Sequence, residues 1–407
     1  MINTNFLSIN SITKRESKNF SKKFEKIILD INKDIKDNKK TLNILNKNFK
    51  FNFKIGDLKK YKKFKIIAIL GMGGSILGAE AIHNYFQHKI KKKFYFFDDL
   101  DEDKIINFKK KENFSKVLFI IISKSGNTIE TLSNSFALNI IKSDRKNVIL
   151  VSEKKNNSLF ILSKKLNLHY IEHKDHIGGR FSVLSETGLI PAYLMGVNIF
   201  KLRSKIRDIL KGSNKLSLKN SSIKLASIMN SKKFDNLIFL NYSSRLEKLL
   251  YWGQQLIAES LGKKNKGFLP VISNVPKDHH SLLQLYLDGP KNKIFNIFSL
   301  KTKKNEKINA KNQLEINSYL NKKKIFEIKN AQKMSLIKSL KKKNIPFREF
   351  KIKNSDEVTL GKLFSFFIIE TIIIGKLLNI NPFNQPAVEQ VKIDTKKYLS
   401  KNTKNNF

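Results

Sequence analysis

The chain has no cysteine at all among its 407 residues. Without thiols there is no disulfide, no thiolate metal site and no cysteine nucleophile. Long apolar runs are missing too: none reaches the roughly 18–20 residues of a membrane span. The nearest candidate, Leu363 to Leu378, is shorter and carries Glu370 and Lys376, which favours a buried helix. The start, Met1-Ile2-Asn3-Thr4-Asn5, lacks a basic segment followed by an apolar one, so no export signal is expected. These absences together point to a soluble, cytoplasmic protein. Acidic residues are scarce as well, 34 against 79 Lys and Arg, for a formal charge of +45. Such an excess ordinarily raises nucleic acid as a partner. Here the lysines are scattered through every loop among abundant Asn, Ile and Phe, which reads as a compositional bias rather than one basic face. The runs Lys91–Lys93, Lys109–Lys111, Lys322–Lys324 and Lys341–Lys343 sit between apolar segments, as solvated loops would. No RNA-binding aromatic box or zinc-finger spacing accompanies them. Nonspecific sticking at low salt is expected, specific nucleic-acid recognition is not.

What is present is a length that suggests two domains of roughly 150–200 residues and an apolar content of 41%, enough for packed interiors. Residues 1–60 are polar with helical periodicity and read as an N-terminal helical arm. From there short apolar strands alternate with helices: strands at Lys65–Leu70, Phe94–Phe97, Val117–Ser123, Val148–Ser152 and Leu168–Glu172, with helices from about Ser75 to Phe86, near 127–142 and near 157–165. The polar stretch from Lys201 to Ser222 reads as a boundary. A second unit follows, with strands at Leu237–Tyr242, Ile294–Leu300 and Phe347–Ile352 and helices near 247–260, 280–287, 330–342 and 357–378. Ile-, Val- and Phe-rich runs alternating with helices indicate parallel strands covered on both faces. The expected architecture is α/β: an arm over 1–60, doubly wound domains over 61–200 and 215–380, and a C-terminal helix and tail over 381–407 whose end, Lys401–Phe407, frays.

Five segments carry chemistry. Gly71-Met72-Gly73-Gly74-Ser75-Ile76-Leu77-Gly78 follows a strand and opens a helix, where glycines let backbone approach a ligand and helix-start amides face an anion. It lacks the dinucleotide spacing, and a purely structural tight turn is the plain alternative. Ser123-Lys124-Ser125-Gly126-Asn127-Thr128 repeats that placement with hydroxyls, an ammonium and a glycine, a donor set suited to a phosphate monoester of about −1.5 to −2 charges. The plain reading is a helix cap by Ser125 or Asn127. Both segments lie at the carboxyl ends of parallel strands, where open α/β sheets place ligands. Gly178-Gly179-Arg180 sets a permanently charged guanidinium on a turn, able to stabilise an oxyanion or simply to form an ion pair. Gln254-Gln255-Leu256-Ile257-Ala258-Glu259-Ser260-Leu261-Gly262-Lys263 puts a carboxylate near the end of an apolar helix, where its proton affinity can be tuned, although most helical glutamates are surface residues. Asp278-His279-His280-Ser281 offers imidazoles at a helix start. With His173 and His176 also available, metal binding is the competing reading, but no spacing supports it.

Taken in order, these segments and Phe383-Asn384-Gln385-Pro386-Ala387-Val388-Glu389-Gln390-Val391-Lys392 resemble the glucose-6-phosphate isomerase (phosphoglucose isomerase) family in a compact bacterial form. The resemblance spans residues 71–392. It implies two sugar-isomerase (SIS-type) domains with five-stranded parallel sheets, and a homodimer with its active sites at the subunit interface. By motif position it places Gly74 and Ser75 against the substrate, Ser123, Lys124, Ser125 and Thr128 on its phosphate, and Gln255 and Gln385 on the sugar. Arg180 falls beside the reacting carbons, and Glu259 matches the base. The H-S-x-x-Q-L register selects His280 rather than His279, reaching over from the partner, and Lys392 matches the C-terminal lysine. Ser125-Gly126-Asn127 stands where longer members carry Thr-Phe-Thr, Leu282-Leu283 where they carry aromatics, and Asn384 and Pro386-Ala387 where they carry Asp and Trp-Gly.

The implied reaction is the glucose 6-phosphate to fructose 6-phosphate isomerisation of glycolysis and gluconeogenesis, through ring opening and a cis-enediol(ate). Hydrogen moves between C1 and C2 without net oxidation, so neither nicotinamide nor flavin is needed, and the resemblance implies no metal. Two rivals draw on this set: a dual-specificity phosphoglucose/phosphomannose isomerase, which shares every group, and a sugar-phosphate-sensing regulator that needs the phosphate loop but not Glu259, Arg180 and His280 together.

Overall fold

A computed structural model of the chain describes residues 14–301, 306–309 and 319–402. The export-signal reading at Met1–Asn5 and the frayed end beyond 402 lie outside the described residues. Helix α1 (Lys14–Lys36) buries Phe20, Phe24, Ile27, Ile28, Ile31 and Ile35, a three-to-four-residue spacing that gives it one apolar stripe. After the short α2 (Ile55–Lys59) come β1 (Ile66–Leu70), α3 (Leu77–Phe86), β2 (Lys93–Phe97), α4 (Glu102–Lys111), β3 (Val117–Ile122), α5 (Ile129–Ala137), β4 (Val148–Ser152), α6 (Ser158–Lys165) and β5 (His169–Glu172). Helices α7 (Glu186–Leu194), α8 (Ile199–Ser204) and α9 (Gly212–Asn230) lead to β6 (Asn236–Asn241), α10 (Glu247–Leu261), β7 (Leu269–Asn274), α11 (His279–Asp288), β8 (Lys293–Leu300), α12 (Ile325–Lys342), β9 (Phe347–Ile352), α13 (Glu357–Leu377) and α14 (Glu389–Asn402).

The strands form two all-parallel sheets, ordered β2-β1-β3-β4-β5 and β7-β6-β8-β9. The expected α/β class with two parallel sheets is therefore what the chain adopts. The second sheet departs from the expectation: among the described residues it has four strands, not five. One of the four, β7, is absent from the pattern read in the sequence. It carries Pro270, which removes a ladder donor and reads against a strand, but β7 is an edge strand, where proline is tolerated.

The polar Lys201–Ser222 stretch is also more ordered than a linker. Most of it is helix, and Leu218, Ser221 and Ser222 are buried where α9 meets α13. Small serines let the two helices approach, which composition alone disguises. Helix α13 is apolar on all sides, and 89% of its most hydropathic stretch lies buried inside the protein. That burial identifies it as a core helix, as its charged residues and length suggest for Leu363–Leu378. The largest apolar cluster runs from Phe20 to Ile380 and unites residues of both halves.

In each sheet the chain leaves a central strand toward one edge and returns on its other side. The reversal falls between β1 and β3 in the first sheet and between β6 and β8 in the second. Loops diverging at such a point leave a crevice at the carboxyl ends of the strands.

Candidate active site

Leu70 ends β1 and Ile122 ends β3, so the turn after β1 and the loop after β3 flank the first crevice. The turn through Gly73, Gly74 and Ser75 has no room for side chains at its glycines. A Cβ on Gly74 would sit 2.1 Å from the Gly179 carbonyl carbon, and one on Gly73, at φ +51°, would come 2.7 Å from Gln255 Nε2. The glycines thus let two other segments reach this turn: the Gly179–Leu184 turn carrying Arg180, and α10 carrying Gln255 and Glu259.

Arg180 is 2% exposed and joins the segments. Its Nε donates to Ser260 Oγ at 2.8 Å. Nη1 donates to Glu259 Oε2 at 3.0 Å and to Gln385 Oε1 at 2.5 Å. Nη2 donates to the carbonyls of Pro382 at 2.7 Å and Asn384 at 3.1 Å. All five guanidinium donors are occupied. Burial pushes the Arg180 pKa down, and the neighbouring Glu259 charge opposes that push. Glu259 Oε1 accepts from Gln255 Nε2 at 2.8 Å, so both carboxylate oxygens are oriented while its side chain stays 33% exposed. A buried fork holding a reachable carboxylate is an arrangement suited to moving a proton.

On the other side of the crevice, Ser123 Oγ and Thr128 Oγ1 share a hydrogen bond of 2.8 Å. Thr128 is the residue before α5 but does not cap it with its side chain, and neither Ser125 nor Asn127 occupies the cap position. The cap alternative therefore fails, since Asn127 Oδ1 instead accepts from the Ser158 amide at 2.8 Å. Ser125 is exposed, and Lys124 Nζ donates to the Asp175 carbonyl at 2.8 Å and lies 3.5 Å from Glu153. Gly126, at φ +67°, could not carry a Cβ, which would fall 1.8 Å from Asn157 Oδ1. The loop reaches Glu259 through a chain of contacts: the Ile122 carbonyl packs on Gly71, the same turn packs on Gln255, and Gln255 holds Glu259.

Gly74, Ser75, Arg180, Gln255, Glu259 and Gln385 are thus gathered around one turn, with Ser123, Lys124, Ser125 and Thr128 beside it. His280 and Lys392 are not brought in. His280 is exposed at the start of α11, and its imidazole makes no hydrogen bond to the described residues. The adjacent His279 does have a partner, Tyr242 Oη at 3.1 Å, and burial pushes its pKa down. Lys392 is exposed on α14 and pairs with Glu389 at 2.8 Å.

Two further participants have no assigned role in the sequence reading. Ser260 is fully buried and orients Arg180. Lys263 donates to the Ser260 carbonyl at 3.1 Å and the Asn381 carbonyl at 2.6 Å, clamping α10 to the segment that carries Gln385. Burial first, then the Arg180 charge, lower its pKa to about 8, against the pull of Glu259. Both residues stand inside the Gln254–Lys263 motif, so that motif is the available signal. Among the described residues no three His, Asp or Glu side chains gather as a metal site would require.

Comparison with known proteins agrees across most of the chain. The family described as Phosphoglucose isomerase matches residues 8–406. A probable glucose-6-phosphate isomerase of Methanococcus maripaludis is 33% identical over 86% of this chain and 82% of its own length. The glucose-6-phosphate isomerase of Methanocaldococcus jannaschii is 32% identical over 83% of this chain and 85% of its own. Among solved structures, a hypothetical protein from Thermus thermophilus superposes with a TM-score of 0.83 at 24% identity, covering 98% of this chain and 99% of the other. A glucose-6-phosphate isomerase from Chlamydia trachomatis gives 0.72 at 18% identity, over 86% and 73%. The two superpositions speak for the fold.

Proposed function

The chain belongs to the phosphoglucose isomerase family, and from that premise we propose that it interconverts glucose 6-phosphate and fructose 6-phosphate at the Arg180–Glu259 site. The observation that carries this reading is the Glu259 carboxylate, fixed at both oxygens yet reachable from solvent. Glu259 takes the proton from C2 of the open-chain sugar and returns it to C1, with a cis-enediol(ate) between. Arg180 faces the negative charge that develops on the sugar oxygens. Since all five of its donors are engaged, substrate must replace one existing partner, and Gln385, which shares Nη1 with Glu259, is the side chain placed to be exchanged. Ser123, Lys124, Ser125 and Thr128 hold the phosphate at a distance from the reacting carbons, and this fixed end orients C1 and C2 for transfer. Gly74, Ser75 and Gln255 line the sugar. Neither the dual-specificity isomerase nor the non-catalytic sensor is favoured by the family match.

Ring opening needs a proton shuttle between ring oxygen and hydroxyl, and His280 and Lys392 supply it once two chains assemble. Two features support a homodimer with its active sites at the interface. His280 and Lys392 stand exposed rather than in the site. Helix α14 also presents Val388 at its entry and Val391, Ile393, Tyr398 and Leu399 along its length to solvent, an apolar surface that the described residues of one chain leave uncovered. The substrate is a phosphate ester of about −1.5 to −2 charges that does not cross a bilayer unaided, which supports a cytoplasmic location.

A coupled assay of glucose 6-phosphate formation from fructose 6-phosphate, with purified protein and no added metal, tests the activity. Mixing inactive Glu259→Gln and His280→Ala dimers tests the shared site. Regained turnover after subunit exchange is expected, and continued inactivity in verified mixed dimers would refute the contribution of His280 across the interface.

A further inference from the structure

The crevice at the reversal point of the second sheet is not used by the reaction. It is a cavity of about 790 Å³ at the carboxyl ends of β6, β8 and β9, roofed by the first half of α12. Its position repeats that of the active site. The Gly73–Ser75 turn follows β1 and precedes α3, and the Ser244–Leu246 turn follows β6 and precedes α10. Gly73 and Gly74 of the first turn are replaced in the second by Ser244 and Arg245, which line the cavity together with Ser243.

Among the described residues the cavity's charge is unbalanced. Lys333 and Lys351 share one carboxylate, Glu349, at 2.7 and 3.0 Å. Arg245, Lys301, Lys329 and Lys353 also line the cavity, with Glu306 the one carboxylate among its described lining residues. Arg245 Nε donates to the Tyr85 carbonyl at 2.9 Å, but its Nη2 is buried without a hydrogen-bond partner among the described residues. Lys329 is half-buried and forms no ion pair with the described residues, and burial lowers its pKa. A half-buried guanidinium and a half-buried ammonium lining one cavity are costly unless an anion meets them. Arginine is also the exception here, seven of 79 basic residues, and its planar fork suits phosphate oxygens better than an ammonium does.

We propose that this cavity is a second anion site that binds a small organic phosphate, its phosphate group between Arg245 and Lys329 and its remainder along the hydroxyls of Ser243, Ser244 and Ser299. The volume lies within the range of ordinary small-molecule pockets, so the whole ligand enters and not the phosphate alone. The site lies at the opposite end of α10 from Glu259, so occupancy of the two need not exclude each other.

The test is calorimetric titration of the assembled enzyme with glycerol 3-phosphate and with inorganic phosphate at about 0.15 M salt, where diffuse attraction between exposed charges is screened. Lys329→Ala should weaken glycerol 3-phosphate binding at one site per chain by about tenfold, the order of one charge-assisted hydrogen bond. It should leave kcat/KM for fructose 6-phosphate unchanged. Arg245→Lys, which keeps the charge and loses the fork, should weaken the same site, and Lys323→Ala, a control at an exposed lysine, should not. Inorganic phosphate binding as tightly as glycerol 3-phosphate would overturn the claim that the organic part is recognised. An affinity that survives Lys329→Ala, or falls as far in Lys323→Ala, would overturn the site itself.

Discussion

Two buried arginines in this chain each hold a carboxylate, and they leave it in opposite surroundings. Arg348 Nη1 lies 2.7 Å from Glu370, whose side chain is 3% exposed, within a cluster completed by Ser221 and Asn296. Arg180 Nη1 lies 3.0 Å from Glu259, whose side chain is 33% exposed. The chemistry of the pairs is the same. What differs is access: Glu370 is sealed between α9, α13 and β9, whereas Glu259 stands where α10 ends against a glycine turn. A carboxylate that no substrate can reach serves only packing and charge balance, and one that is held yet reachable can exchange a proton.

The sharpest way to break this contrast is to neutralise each acid in turn. Glu259→Gln should lower kcat by about 10²- to 10⁴-fold, the usual weight of a general base, with sugar-phosphate binding near that of the parent and a smaller stability loss than at the sealed pair, because Glu259 is a third exposed. Glu370→Gln should do the reverse, costing about 3–5 kcal/mol of stability because Arg348 is left buried without its counter-charge, with kcat of the folded fraction retained. Equal effects on both quantities in either variant would erase the distinction. Arg180→Lys comes next: an ammonium cannot serve five acceptors, and kcat should fall by about 10²-fold, the order for loss of one preorganised donor to a developing oxyanion.

Lys124→Ala should act mainly on binding, raising the KM for fructose 6-phosphate about tenfold with kcat nearly retained. An unchanged KM would remove Lys124 from the phosphate site. The smallest effect concerns Lys263. Its folded-state pKa of about 8 lies below the ordinary lysine value of 10.5. Between those two values the unfolded chain binds more protons than the folded one, so stability from this group rises with pH through that window. Comparing melting temperatures of parent and Lys263→Met across the window should show the parent gaining relative to the variant as pH rises, and a flat difference would contradict the shift.

Much of the site is legible in the sequence because its residues sit in short local patterns. A strand followed by glycines, or by Ser-Lys-Ser-Gly, places donors at a strand end whatever the rest of the chain does. Glu259 is legible through a helix that buries Leu256, Ile257 and Leu261 and then stops at Gly262. Ser260 and Lys263 escape such a reading because their roles depend on partners distant in the chain, Arg180 and Asn381. Strand β7 is hidden by Pro270, whose cost vanishes only at a sheet edge, and the buried serines of α9 read as a boundary between units until α13 lies against them. His280 and Lys392 can be named from motif register but not located, since a register fixes identity and leaves direction open.

Alternating apolar runs and glycine-punctuated strand ends were enough to specify an α/β chain with polar, glycine-bearing loops at the tips of parallel strands, because these are properties of neighbours in the polypeptide. Access and charge balance are properties of neighbours in space. Which carboxylate is reachable, which lysine loses water, and which cavity gathers more cations than carboxylates among the described residues emerge only when α10, α12 and the 380s segment close over the sheets and remove solvent from some groups and not from others.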